Sequence, residues 1–492
     1  MPPRRAFLGI DCGTQSTKAL LVDVETEAVL AIGRAQHRLI EAADGTREQD
    51  PAWWIDATVA AVREAMAAAP GGVEIAGIGV SGQQHGLVAL DAADRPTRPA
   101  KLWNDTTTAA ECDRLTDALG GPQRVLELTG NLFLPGYTAP KVAWLRQHEP
   151  DAYAASRRFC LPHDYLNLWL TGTFATEPGD ASGTAYLDAR ERRYQADVLA
   201  ALDPDRDWDA TLPPLVDSLS TIGSLRQEVA AMLGLPAGTP VSAGGGDNMC
   251  AAIGVGAVVE GPVVVSLGTS GTAFAFSSGP ALDPLGEAAA FCSSSGGWLP
   301  LVCTLNCTGA SEWIRGLAGM TREAFEAAMA QAQPGARGVT FLPYLDGERT
   351  PNLPAAAGAF EGIRAEHGLP DLVRAVVEGV TFGLVYATGA LERAGVRPAE
   401  ITLVGGGAAS DAWAQLCADA FALPVRRDAN TEAAALGAAR QAAHVTDGVP
   451  LAGRADAAGD RFLPRPSPEL DAAGERLAAM RRAAIAGAIG GR

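Results

Sequence analysis

Phe7-Leu8-Gly9-Ile10-Asp11-Cys12-Gly13-Thr14-Gln15-Ser16-Thr17-Lys18 reads as a short apolar strand running into a polar turn. Lys18 to Val24 is a second strand, with Ala19-Leu20-Leu21-Val22 as its apolar part. Glu25-Thr26-Glu27 turns the chain again, and Ala28 to Gly33 returns as a third strand. The same grammar recurs in the second half. Pro262 to Leu267 is a strand, Gly268-Thr269-Ser270-Gly271-Thr272 a polar glycine turn, and Ala273-Phe274-Ala275-Phe276 the return strand. A strand, a Gly-Thr turn and a strand that occur twice predict two related half-domains facing each other.

The chain's 492 residues exceed one ordinary hydrophobic core, which stops growing at about 250–300 residues. Two domains are expected, residues 1–247 and 248–492. Their boundary falls within 243–256, where Gly244, Gly245, Gly246, Gly254 and Gly256 supply conformational freedom. A composition of 47% hydrophobic and 20% charged residues is that of a globular protein and excludes disorder. The net charge of -18 argues against a nucleic-acid or anionic-membrane partner. Arg4-Arg5 and the short apolar run after them are cut off by Asp11, too early for a signal peptide, and no run of about 18 uncharged apolar residues suits a membrane span. A cytoplasmic protein is expected, and a homodimer is left open. The eight cysteines are scattered, with no histidine at ligand spacing near Cys303 and Cys307, so buried free thiols are expected rather than zinc or disulfides.

Further elements follow from local pattern. Asp50-Pro51 is an N-cap signal for a helix over about Ala52 to Ala69, with Trp54, Thr58, Ala61 and Ala65 near one face. Gly77 to Ser81 is a buried strand. Ile401 to Val404 is a strand ending in Gly405-Gly406-Gly407. A helix begins near Ser410-Asp411, Thr431 to Ala443 forms a small-residue helix, and an Ala/Arg-rich helix closes the chain after Pro468.

Five stretches have the residue types that chemistry needs. The turn from Asp11 to Lys18 offers backbone N–H groups, hydroxyls and a lysine to phosphate oxygens, with Asp11 placed to hold Mg²⁺. The turn at Gly268-Thr269 repeats that offer. Neither is a Walker A loop, and each alone reads equally well as a polar β-turn. Gly405-Gly406-Gly407-Ala408 lets a ligand such as adenosine approach the backbone. Gln83-Gln84-His85-Gly86, with Trp103-Asn104-Asp105 downstream, supplies the donors, acceptors and apolar face that a polyol needs. Asp247, after three glycines, is either a helix N-cap or an acid at the mouth between the domains, where a substrate hydroxyl must lose its proton.

These segments resemble the FGGY carbohydrate kinases. The resemblance runs from about residue 6 to about residue 445. It rests on Gly9-Ile10-Asp11-Cys12-Gly13-Thr14, Gln83 to Gly86, Leu102-Trp103-Asn104-Asp105 and Thr129-Gly130-Asn131. Pro135 to Lys141, Leu161-Pro162-His163-Asp164-Tyr165-Leu166, Gly244 to Asn248, Ser266 to Gly271 and Phe341 to Pro351 extend it. The stretch from Thr129 to Lys141 is similar to the family's xylulose-phosphorylating branch rather than to the glycerol branch. The resemblance implies an α/β fold of two actin-like (ribonuclease-H-like) domains with ATP in the cleft between them. It implies transfer of a phosphoryl group from ATP to a ketopentose, D-xylulose first, with ribulose, glycerol or another polyol as alternatives. An actin-like nucleotide-binding module is the reading from another class.

Carried over by position, the resemblance makes Asp247 the proton acceptor. Gln84, His85, Trp103, Asp247 and Asn248 line the sugar site. Asp11 lies near Mg²⁺. Thr14, Gln15, Lys18, Gly268 and Thr269 lie near the phosphates, and Gly407, Ala408 and Asp411 near adenosine. One departure stands out. The family's usual pattern is Gln-Met-His-Gly, and Gln84 here replaces the methionine.

Overall fold

The computed structural model describes residues 4–23, 25–428, 432–452 and 459–490. Two mixed sheets organise it. The first holds β1 (Arg4–Cys12), β2 (Ser16–Asp23), β3 (Ala28–Gln36), β4 (Val73–Gly82), β5 (Thr221–Ser224) and β6 (Pro240–Ser242), in the order β3-β2-β1-β4-β6-β5; β7 (Gly245–Gly246) also pairs with β4. The second holds β8 (Pro262–Leu267), β9 (Gly271–Ala275), β10 (Leu301–Thr304), β11 (Glu400–Val404), β12 (Val425–Arg427) and β13 (Arg461–Phe462), in the order β10-β9-β8-β11-β12-β13.

The two orders are the same pattern. In each sheet three antiparallel strands come first, the hairpin strand at their edge pairs in parallel with a later strand, another parallel strand follows, and an antiparallel one closes the sheet. The short repeat at Asp11 and Gly268 is therefore the visible part of a whole-sheet duplication. β1 runs longer than its apolar core because Asp11 and Cys12 still pair with Lys18 and Thr17. Val24 and Thr431, which end and begin two expected elements, lie outside the described residues.

Helix α1 (Pro51–Ala68) starts where Asp50 accepts the Ala52 N–H at 2.9 Å. Its stripe of Trp54, Ala61 and Ala65 is fully buried against the first sheet. Gly33 makes the approach possible, since a Cβ there would lie 1.9 Å from the Ala61 carbonyl oxygen. In the second half, α6 (Leu369–Arg393) is the one helix among the described residues long and apolar enough to cross a membrane by composition. Its Val373, Val376, Val377 and Leu384 are instead wholly buried in the second core. All eight cysteines are free, and all but the half-buried Cys303 are buried.

Packing crosses the expected division at residue 247. Helix α8 (Ala433–Asp447) lies far into the second half yet covers the first sheet, burying Ala435, Leu436, Ala439 and Ala443 against Phe7, Leu20 and Val22. Small residues bring the backbones together. A Cβ on Gly9 would lie 1.8 Å from the Ala435 carbonyl oxygen, and one on Gly79 2.0 Å from that of Ala438. Helix α4 (Asp247–Gly254) crosses α8 in the same way, Gly437 facing Cys250 and Gly254 facing Ala433. Sequence order hid this because an alanine-glycine helix carries no mark of the sheet that it will cover.

The crossing generates a test. In Gly437→Ala the new Cβ would fall 1.7 Å from the Cys250 carbonyl oxygen, so α4 and α8 must separate. Loss of about 1–3 kcal/mol in denaturant unfolding is expected, as for other overpacked cores. A variant of unchanged stability would mean that the two helices are free to slide.

Candidate active site

Asp247 stands at the first turn of α4, immediately after β7. Its side chain is half-buried where the two halves meet. Oδ1 accepts the Asn248 backbone N–H at 2.8 Å and the Asn248 Nδ2 at 3.0 Å. Burial, followed by the carboxylates of Asp11 and Asp180, pushes its pKa up to about 7; the Asn248 hydrogen bonds pull the other way. A carboxyl poised there is ionised in useful measure at neutral pH and can take a proton from a hydroxyl.

The three glycines before it have separate reasons. Gly244 adopts φ +74°, a left-handed backbone. A Cβ on Gly245 would strike Ser294 Oγ at 2.1 Å, and one on Gly246 would lie 2.7 Å from Gln84 Cγ and 3.0 Å from Asp180 Oδ1. The run is thus a close-packing device as well as a flexible one.

On the expected sugar side, His85 takes φ +64° and packs edge-on against Tyr137 at 4.9 Å and tilted against Phe291 at 5.4 Å. Burial holds its pKa well below the usual imidazole range, and the charges of Lys141 and Arg349 reinforce this, so the ring is neutral. The His85 carbonyl is pinned by the fully buried Lys141 at 2.6 Å and by Thr138 Oγ1 at 3.2 Å. Gln84 is buried and hydrogen-bonded to Asn248 at 2.7 Å. The exposed indole of Trp103 donates to Thr14 Oγ1 at 2.9 Å, tying the sugar-side loop to the first turn. Asp105 is a brace for that loop, accepting from Lys101 at 3.0 Å and from the Arg47 and Thr107 backbone.

On the phosphate side, Gly13 N–H closes the first turn onto the Ser16 carbonyl at 3.1 Å. Beside it opens a pocket of about 630 Å³ lined in part by Thr14, Gln15, Ser16, Arg34, His37 and Asn104. Asp11 accepts from Ser81 Oγ at 2.9 Å; burial raises its pKa, with Lys18 opposing. Lys18 Nζ also pairs with Glu432 at 2.8 Å. In the second turn the Gly268 carbonyl accepts the Thr308 N–H at 2.8 Å, seating helix α5 (Thr308–Leu317). No backbone N–H of Gly268, Thr269 or Ser270 finds a protein acceptor among the described residues. Gly407 packs on Leu267 and Thr308, so the expected adenosine loop and the second phosphate turn are one surface. The exposed Asp411 pairs with Arg427 at 2.8 Å, and Arg427 also holds the Ala408 carbonyl at 3.1 Å.

A buried charge network behind Asp247 escaped the sequence reading. His163 on α2 (Pro162–Thr171) meets Asp180 at 2.7 Å and Asp164 at 3.2 Å, all essentially inaccessible. Glu177 accepts the Gly179 and Asp180 N–H groups and the Ser218 and Ser294 hydroxyls. Burial disfavours the charged imidazole, but Asp164, Asp180 and Glu177 outweigh it and raise the His163 pKa to about 9. His163-Asp164 was on view as a motif; its partners Glu177 and Asp180 carried no pattern of their own.

The Asp11 and Gly268 turns and Asp247 all fall within residues matched by two family models. The N-terminal domain model of the FGGY family of carbohydrate kinases covers residues 6–254, and the C-terminal domain model residues 263–446. The chain belongs to the FGGY family of carbohydrate kinases. A xylulose kinase of Haemophilus influenzae is 44% identical over 89% of this chain and 90% of its own length. One of Streptomyces coelicolor is also 44% identical, over 90% and 88%. The crystal structure of a xyloylose kinase from Brucella ovis superposes with a TM-score of 0.92 at 36% identity, covering 98% of this chain and 99% of that one.

The network behind the acid makes a stability prediction for this kinase. His163→Leu leaves Asp180 and Asp164 buried without their cation, a loss typically of about 3–5 kcal/mol. Denaturant unfolding measures it; a loss below about 1 kcal/mol would show that the carboxylates are not ionised partners of His163.

Proposed function

We propose that this chain transfers the γ-phosphoryl group of ATP to the 5-hydroxyl of D-xylulose, giving D-xylulose 5-phosphate. The observation that carries the reading is Asp247. It is a half-buried carboxyl with a pKa near 7, bonded by Asn248, which Gln84 braces in turn. The choice of sugar is supported by the name xylulose kinase on relatives 39–44% identical to this chain.

In this reading Asp247 accepts the hydroxyl proton. His85, Trp103 and Asn248 hold the sugar so that its 5-hydroxyl faces that carboxylate. Backbone N–H groups around Thr14-Gln15 and Gly268-Thr269, with Lys18, neutralise the phosphate oxygens, where positioning and electrostatics supply most of the catalysis. Gly407, Ala408 and Asp411 flank adenosine. Mg²⁺ fits Asp11: hard divalent ions of this size take one or two carboxylates, phosphate oxygens and water rather than a protein cage. No group of three or more His, Cys, Asp or Glu among the described residues is placed to form such a cage. The ion supplies charge neutralisation on the phosphates. Closure of the two halves on the sugar excludes water as a competing acceptor. The setting we infer is the cytoplasm, without nucleic-acid or membrane partners, consistent with the net charge of -18.

Asp247→Ala should lower kcat by about 10²–10⁴-fold while sugar affinity changes little. Near-normal turnover would remove the base assignment. Because the base must be ionised and its pKa is raised, kcat/KM should fall as pH drops through about 7 and level off above it. A profile flat from pH 5.5 to 8 would contradict that. A panel of D-xylulose, ribulose and glycerol with coupled ADP detection checks the acceptor; highest kcat/KM on a sugar other than xylulose would redirect the substrate.

A further inference from the structure

Gln84 departs from the methionine usual at its position, and the structure shows what the amide does. Gln84 Oε1 accepts from Asn248 Nδ2 at 2.7 Å, and the same Nδ2 donates to Asp247 Oδ1 at 3.0 Å. Asn248 also donates its backbone N–H to that oxygen at 2.8 Å. On the other side, Gln84 Nε2 donates to Met249 Sδ at 3.1 Å. The side chain is 4% exposed and wedged against Gly246, so it presents almost no surface to a ligand.

The orientation of both amides follows from the chain of contacts. An ionised Asp247 accepts only, so the Asn248 atom facing it must be nitrogen. That nitrogen also faces Gln84, so the Gln84 atom there must be oxygen. Its NH₂ end then falls on the Met249 thioether, a weak acceptor that suits it. Each of the two Asn248 amide protons has one acceptor. Asn248 Oδ1 and Asp247 Oδ2 are the atoms left for a substrate.

We propose that Gln84 is a positioning residue that, by accepting one Asn248 amide proton, locks that amide against Asp247 Oδ1 and leaves Asn248 Oδ1 and Asp247 Oδ2 to meet the sugar hydroxyls. This rests on the reading of Asp247 as the base. A methionine at 84 offers no comparable acceptor, and Asn248 is then free to turn its donor end toward the sugar. Asp247 loses part of its orientation with it. The titratable groups around Asp247 come from other elements: the carboxyls of Asp11 on β1 and Asp180 just after Glu177, and the neutral Cys303 thiol on β10. None of them contacts the Gln84 amide by hydrogen bond among the described residues.

The test is a double-mutant cycle on steady-state kinetics with D-xylulose and ATP. Gln84→Met, nearly equal in volume, should fold with little change in melting temperature and lower kcat about tenfold, the scale of a small misplacement of a reacting group. KM for ATP should be unchanged. Asn248→Ala should lower kcat at least as much, and Gln84→Met/Asn248→Ala no further, because Gln84 acts through Asn248. Wild-type kcat in Gln84→Met would overturn the proposal. So would multiplicative losses in the double variant, or a change confined to KM for the sugar, which would make Gln84 a direct sugar contact. Asp247→Ala, run alongside, separates the two levels. If it stays active, the base assignment fails; if it is dead while Gln84→Met is silent, only the role of Gln84 fails.

Discussion

The amide of Gln441 is the interaction on which the arrangement turns. It sits on α8, fully buried, and meets both polar groups of the Gly244 backbone: Oε1 accepts the N–H at 2.8 Å and Nε2 donates to the C=O at 2.9 Å. It also takes the Ser242 hydroxyl and donates to the Ser218 and Ser294 carbonyls. Gly244 is in a left-handed conformation at the entrance to β7, where ordinary ladder bonds are interrupted. Buried backbone groups left unpaired there would each cost about 1–3 kcal/mol. One side chain from the far end of the sequence removes that cost, and it reaches the site only because glycine and alanine let α8 settle onto both the first sheet and α4. The position of Asp247, three residues on, inherits its accuracy from that contact.

Around this anchor the electrostatics divide into two layers. The inner layer holds Asp164, Asp180 and Glu177 with His163; burial raises all three carboxyls, and His163 pulls each of them back. The outer layer holds Asp247, bonded by Asn248, and Asp11, bonded by Ser81 and opposed by Lys18. Desolvation raises both, and Asp180 adds to the effect on Asp247. Asp180 Oδ1 is buried and unpartnered, beside Gly246, so its field reaches the front with little screening. The pKa near 7 is thus a product of burial first, then of Asp11 beside it and Asp180 behind it, against a helix start that by itself would favour the charged form.

Much of this was legible in the sequence, and the limits were physical. The Asp11 and Gly268 turns stood out because a hairpin with polar, glycine-rich ends differs sharply from apolar strands. Asp247 was visible after its glycines but not distinguishable from a helix cap, since both uses need an acid at the same place. Trp103 and His85 were placed near the sugar side, yet their partners Thr14, Tyr137 and Phe291 lie at separations that no local pattern reports. Gln441 and the Glu177-Asp180 pair were silent for the same reason. Helix α8 returns across the division expected at 247, a contact that chain order does not announce.

The neutral state of His85 completes the argument about proton traffic. In the proposed reaction, a protonated imidazole on the sugar wall would add a charge that the neutral ring does not. Burial against Tyr137 and Phe291 prevents this, and Lys141 and Arg349 oppose the charged form further. Lys141 spends its donors on the His85 and Gly136 carbonyls, and burial lowers its own pKa well below the usual lysine range. A neutral imidazole can both donate to and accept from a polyol. In the proposed reaction the hydroxyl proton goes to Asp247. The wall is built from neutral groups whose orientation their neighbours set, and through Asn248 the amide at position 84 reaches the acid itself.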